Sequence, residues 1–340
     1  MQTEHLPPPS VQMFQMITGF WTSCCIYAAA RLDIADRLAE KQKTAVQLAA
    51  ETQTYAPFLY RLLRALSSMG IFFENEKNEF ELTPLGNTLR SDGAGSLKAM
   101  AIMNLDDHYA AWGSLLQSVK TGNIAFNDVH QTSVWEYYEG HPVKGANFNK
   151  AMAGITQSII MQMLPAYDFS KFKTIVDIGG GNGALLCGIL KSTSDTKGIV
   201  FDSEKYVQDQ AIRFISENNL QARCTFEAGS FFERVPSGAS AYLMKSILHD
   251  WDDDHAKKIL ANVQKAMGKE SKLILIESII PERNIPHPGK LLDINMMVMT
   301  GGKERTAAEW KNLIGDSGLR FSKIIPTGSP TFSLVEAEKI

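Results

Sequence analysis

No charged residue occurs between Leu6 and Ala30. Within that run Met13, Phe14, Ile17, Trp21, Cys24 and Ala28 follow the spacing of one helix face. Gln12, Gln15, Thr18, Thr22 and Ser23 interrupt it, whereas a membrane span needs about 20 apolar residues. No Lys or Arg precedes it as a signal peptide requires. The pattern predicts a helix over 11–30 that packs against a partner chain.

The pattern then shortens. Thr44 is placed to cap a helix, and Leu59, Leu62, Leu63 and Leu66 line a second one that Gly70 ends. Residues 71–84 are two short strands around a polar turn, so 34–89 reads as a winged helix. Residues 90–96 hold two Ser, an Asp and a Gly on either side of Ala94, the best hinge in the chain, and divide a domain of 1–98 from one of 99–340. A mostly helical stretch, 99–164, closes at Pro165. Beyond it, apolar runs at 174–178, 198–201, 224–228, 241–244 and 272–276 alternate with helical patterns, the signature of a parallel sheet with crossover helices. The final strands, 320–325 and 331–336, are separated only by Pro-Thr-Gly-Ser-Pro, too short for a crossover, so the last must run antiparallel.

Composition narrows the partners. The 340 residues are 44% hydrophobic and 21% charged with a net charge of −3, which fits a folded protein and leaves no basic excess for nucleic acid. Residues 1–95 hold eight Lys or Arg against ten Asp or Glu, and the would-be recognition helix offers only Arg61 and Arg64. The winged helix is therefore read as a dimerisation module. Cys24, Cys25, Cys187 and Cys224 form no C-x-x-C pair and have no His at metal-ligand spacing, so neither a disulfide framework nor a metal is expected, and a reducing cytoplasm fits.

The strongest chemical signal is Thr174-Ile-Val-Asp-Ile-Gly-Gly-Gly-Asn-Gly-Ala, a strand running through a glycine turn into a helix, where backbone approaches a bound nucleotide. Gly179-x-Gly181-x-x-Ala184 also satisfies the weak dinucleotide fingerprint of nicotinamide enzymes. Asp177 lies two residues before the first glycine, and Asp202, twenty-five positions on, ends the next strand, where a carboxylate can accept both ribose hydroxyls. This combination resembles the first motifs of class I S-adenosylmethionine-dependent methyltransferases. Phe148-Asn-Lys-Ala-Met, the glycine loop, Leu248-His-Asp-Trp-Asp-Asp and Gly301-Gly-Lys-Glu-Arg-Thr occur in the order found in O-methyltransferases of the caffeic-acid and hydroxyindole type, which include bacterial small-molecule enzymes.

That resemblance implies a Rossmann-like domain with a mostly parallel seven-stranded sheet, an N-terminal dimerisation domain of winged-helix type and a homodimer. It implies S-adenosylmethionine as methyl donor, S-adenosylhomocysteine as product and an aromatic small-molecule acceptor, without metal, nucleic acid or membrane. His249 lies past an apolar strand, at the carboxyl edge where open α/β folds bind ligands, and matches the family's general base. Glu277 and Glu304 match the glutamates that flank and orient it. Gly179, Gly181, Asp202, Phe231 and Lys245 match cofactor contacts. Ser230 stands where the family usually has an aspartate, so that contact to adenine is weakened or unmade. Acceptor contacts are expected from Phe148, Met152, Asp250 and Met296, with Phe126, Trp135, Ile155 and Met299 as further lining. The remaining readings are a nicotinamide-dependent oxidoreductase, a DNA-binding regulator, and a relative that keeps the cofactor but performs hydroxylation or pericyclic chemistry.

Overall fold

The computed structural model describes residues 7–93, 95–203 and 205–340. It divides into two compact units, one of Met1–Tyr109 with Ala146–Gly154 and one of Ala110–Gly145 with Ile155–Ile340.

In the first unit the uncharged run forms two helices, Pro9–Ile17 and Gly19–Arg31, rather than one. The break falls where Thr18 turns its hydroxyl back onto the Phe14 carbonyl at 2.8 Å, next to a glycine. Thr44 caps the Ala45–Thr52 helix in a reciprocal box with Gln47. The Ala56–Ser68 helix buries Leu59, Leu63 and Leu66 and ends at Gly70, whose φ of +74° lets the chain reverse. Strands β1 (Lys43–Thr44), β2 (Phe72–Glu74) and β3 (Glu79–Leu82) make an antiparallel sheet in the order β1-β3-β2. Met13, Phe14, Met16, Ile17, Phe20 and Trp21 remain exposed on the first two helices.

The second unit is built on seven strands: β4 (Thr174–Ile178), β5 (Lys197–Asp202), β6 (Cys224–Ala228), β7 (Ala241–Lys245), β8 (Lys272–Ser278), β9 (Leu319–Pro326) and β10 (Phe332–Lys339). Their order is β6-β5-β4-β7-β8-β10-β9; β4 to β8 pair in parallel, and β10 runs antiparallel to both neighbours. Alternate residues face opposite layers, as the two-residue period of a strand requires. Ile175, Leu243, Ile274 and Ile276 pack with Met163, Leu186 and Leu190, while Val176, Tyr242, Met244, Leu273 and Leu275 pack with Ile259, Leu260 and Trp310. With both faces of the central strands buried, the charged groups that concern the site lie near the strand ends. Asp202 and Lys245 close β5 and β7, and Glu277 is the last but one residue of β8. Among the described residues no helix is long and apolar enough to cross a membrane.

Candidate active site

The glycine turn after β4 is held open by backbone geometry. Gly179, Gly181 and Gly183 have φ of +68°, +55° and +79°, a region that favours glycine. The Gly179 amide donates to the Phe201 carbonyl at 2.8 Å and the Gly181 amide to Asp202 Oδ2 at 3.0 Å, which ties the turn to the end of β5. A Cβ on Gly180 would stand 2.9 Å from Asp177 Oδ2, whereas one on Gly181 would meet nothing within 4 Å. The turn thus packs inward at Gly180 and presents open space at Gly181. Buried Asp177 has one carboxylate oxygen, Oδ2, without a hydrogen-bond partner. Burial pushes its pKa up to about 7, against the pull of Lys245 and with the Asp202 charge adding to the rise. Burial likewise lowers the Lys245 pKa, opposed by Asp177, Glu277 and Asp250.

Beyond β6, Ser230 Oγ accepts the Phe232 amide at 3.3 Å within its own turn. Phe231 packs against Phe232 and Trp251 at ring distances of 4.9 and 6.3 Å.

The chain leaves β7 through Ser246, a non-glycine residue at φ +53°. That left-handed step costs about 1 kcal/mol or more and turns the backbone into the short helical turn Leu248–Asp250. Glu277 Oε1 accepts the Ile247 and Leu248 amides at 3.2 and 3.1 Å, so one carboxylate oxygen anchors the turn. His249 and Asp250 are buried there. His249 Nδ1 lies 2.7 Å from Glu304 Oε1, while Glu277 Oε2 is 3.8 Å from the same nitrogen and Asp250 Oδ1 is 3.7 Å from Nε2. The two glutamates therefore act on the histidine differently, Glu304 by direct hydrogen bond and Glu277 through the backbone beneath it.

Burial pushes Glu277 up to about 7, with His249 opposing and Glu304 adding to the rise. Burial also pushes Glu304 up to about 8, reinforced by Asp293 and opposed by Arg305. Asp250 is raised to about 7, again mainly by burial. Glu277 Oε2 and Glu304 Oε2 have no hydrogen-bond partner. His249, Glu277 and Glu304 each bring a potential metal-ligating atom within 4.8 Å of the others. A nitrogen and an oxygen bound at about 2.0 Å to one tetrahedral ion stand roughly 3.3 Å apart, so a 2.7 Å separation is that of a hydrogen bond.

Glu304 is placed by the Gly289–Met299 helix, whose Met296 carbonyl accepts the Thr300 and Gly301 amides at 2.9 Å, and by Asp293 Oδ1, which accepts the Glu304 amide at 2.9 Å. Met296 is buried on that helix. Phe148 and Met152 lie in Ala146–Gly154, a segment of the first unit. Asp293, Arg305 and the strained Ser246 escaped the sequence reading. For Arg305 a signal existed, its place inside Gly-Gly-Lys-Glu-Arg-Thr; nothing local marks the other two.

Residues 112–320 match the O-methyltransferase domain model and residues 14–92 the O-methyltransferase dimerisation domain model. The chain is 41% identical to a phenazine O-methyltransferase of Lysobacter antibioticus, over 98% of this chain and 97% of the other. Among solved structures it is similar to the mitomycin 7-O-methyltransferase MmcR, with 32% identity, TM-score 0.88 and coverage of 97% and 98% of the two chains. It is also similar to an O-methyltransferase of neocarzinostatin biosynthesis in complex with S-adenosylmethionine and a hydroxylated methyl naphthoic acid, with 31% identity, TM-score 0.79 and coverage of 94% and 96%.

Proposed function

As the chain belongs to the O-methyltransferase family and is an S-adenosylmethionine-dependent methyltransferase, we propose that it methylates a hydroxyl of a fused-ring aromatic small molecule, with His249 as general base. The acceptor class rests on relatives named for phenazine, mitomycin and naphthoate chemistry. The base assignment rests on one observation, the 2.7 Å contact between His249 Nδ1 and Glu304. Once Glu304, raised by burial to about 8, is ionised, its carboxylate only accepts, so Nδ1 carries the hydrogen and Nε2 keeps a lone pair.

A phenol with a pKa near 10 is a poor nucleophile at neutral pH. His249 Nε2 takes its proton as the oxygen attacks, and Glu304 stabilises the imidazolium. Asp202, Lys245, Ser230, Phe231 and the Gly179–Gly181 backbone hold the methyl donor; the open space at Gly181 and the unpartnered Asp177 oxygen fit such a ligand. When bound, S-adenosylmethionine supplies an electrophilic methyl group, and orientation supplies much of the rate. Asp250 and Met296 of the second unit contact the acceptor. The protein works as a homodimer through its N-terminal helices, a reading supported by the dimerisation-domain match and the exposed apolar face.

The test is transfer of labelled methyl to a panel of phenols, naphthoates, hydroxyindoles and phenazines, with wild type and His249→Ala compared from pH 6 to 10. Labelled product is expected from wild type, rising through pH 7–8 as Glu304, which burial raises to about 8, ionises and can accept the Nδ1 hydrogen. His249→Ala is expected to lose that limb and about 10²–10⁴-fold in turnover, with S-adenosylhomocysteine affinity unchanged. Near-wild-type turnover of the mutant at pH 7 sinks the base assignment. An acceptor consumed without label incorporated points instead to non-methylating chemistry.

A further inference from the structure

Arg305 joins the three segments that carry His249, Glu277 and Glu304. Its side chain is fully buried. Nε and Nη2 donate to Asp253 Oδ1 at 3.0 and 2.9 Å, Nη1 to the Leu248 and Lys303 carbonyls at 3.0 and 3.3 Å, and Nη2 also to the Trp251 carbonyl at 3.0 Å. The guanidinium thus grips the backbone on both sides of His249. Its own carbonyl accepts the Ile280 amide at 3.2 Å, and its backbone bridges in parallel to Ile279, two residues past Glu277. Its chain neighbour Glu304 holds His249 Nδ1. Gly302 lets the two loops meet this closely, since a Cβ there would fall 2.7 Å from the Trp251 nitrogen and nearer still to the His249 carbonyl.

We propose that Arg305 is a positioning residue for methyl transfer, locking the His249 turn against the Glu304 loop so that Glu304 stays on Nδ1 and Nε2 faces the acceptor. The inference rests on His249 being the base. The fork geometry is what matters. A lysine brings one compact charge that cannot span two carbonyls and a carboxylate at once, and in metal sites, where carboxylate support of a histidine has been measured, its loss typically costs about 10–100-fold in affinity or activity.

The experiment is nitrogen NMR of ¹⁵N-histidine-labelled protein at pH 9, with the His249 resonances assigned by His249→Gln, alongside steady-state kinetics. Wild type is expected to show a single Nδ1–H tautomer. Arg305→Lys is expected to show mixed tautomers and a kcat lowered about 10-fold or more, with KM for donor and acceptor held within about twofold. In a Glu304→Gln background the same change is expected to cost less than about twofold further, because Arg305 acts through Glu304. Asp253→Asn, which removes the partly exposed charge held by Arg305 at 2.9 Å and by Lys303 at 2.8 Å, is expected to move the spectrum the same way by less, with Lys303→Met as the control for the Lys303 pair, and decides the matter if Arg305→Lys fails to fold. An unchanged His249 spectrum, additive losses, or a raised KM at constant kcat overturns the proposal. If His249→Gln itself keeps wild-type turnover the base assignment fails, while the spectrum still judges Arg305.

Discussion

His249 lies against two carboxyls that are themselves uncomfortable. Glu277 and Glu304 are buried carboxyls with pKa values raised to about 7 and 8, and each keeps one oxygen without a partner. Burial disfavours their charged forms, so the fold binds protons that an unfolded chain releases near its ordinary carboxylate pKa of about 4.3. The sign follows by linkage: their stabilisation is full below about pH 4, and is lost as pH rises through 7 to 8. Urea midpoints are therefore expected to fall between pH 5 and 8.5. Glu277→Gln keeps an oxygen for the Ile247 and Leu248 amides and removes the charge, so its decline should be shallower. An equal decline in both proteins shows that Glu277 carries no such strain. The site thus gives up stability over the pH range in which Glu304 ionises, a trade common at functional sites.

At the scale of elements, the strand ends and the turns after them carry the chemistry. The glycine turn after β4 was legible because four glycines in five residues between a strand and a helix have few other uses. Which glycine does what was not legible, since that depends on β5 and on Ile247, far along the chain. Gly180→Ala drives a methyl to 2.9 Å from Asp177 and Val200, an overlap expected to cost about 1–3 kcal/mol in stability and to show as a lowered Tm. Gly181→Ala meets no protein atom and costs only the positive φ, about 1 kcal/mol. It should fold, and should weaken S-adenosylhomocysteine binding at least about tenfold, or about 1.4 kcal/mol, by filling the space at that turn. Calorimetry giving an unchanged Kd for Gly181→Ala would remove the turn from the cofactor site. The uncharged N-terminal run shows the limit of periodicity: its apolar spacing persists across Thr18, but the helix does not.

For the whole molecule the unburied apolar face is the main feature to account for. Met13, Phe14, Met16, Ile17, Phe20 and Trp21 are exposed, and Phe14 and Trp21 meet edge to face at 6.3 Å. Removing one large apolar side chain from water is worth roughly 1.5–3 kcal/mol, so a face of this size favours association, and residues 14–92 match a dimerisation domain. Light scattering at micromolar concentration is expected to give a monodisperse dimer of the 340-residue chain. Phe14→Glu combined with Trp21→Glu should shift it toward monomer while leaving the far-UV circular dichroism unchanged. A wild-type monomer at that concentration rules out this use of the face.

By itself the sequence determined the strand succession, the antiparallel last strand, the glycine turn and the placing of His249 and Asp202 at strand ends. These follow from neighbours along the chain: a period of two, a five-residue connection, a turn that needs glycine. The tertiary structure decided which glutamate touches the imidazole, since Glu304 is 55 residues from His249 and only the packing of two loops brings them to hydrogen-bond distance. It likewise decided that Asp293 holds the Glu304 amide and that Arg305 reaches Leu248 and Trp251. Local spacing records what a segment does with its own backbone; a contact across 50 residues depends on where the sheet sets each segment down.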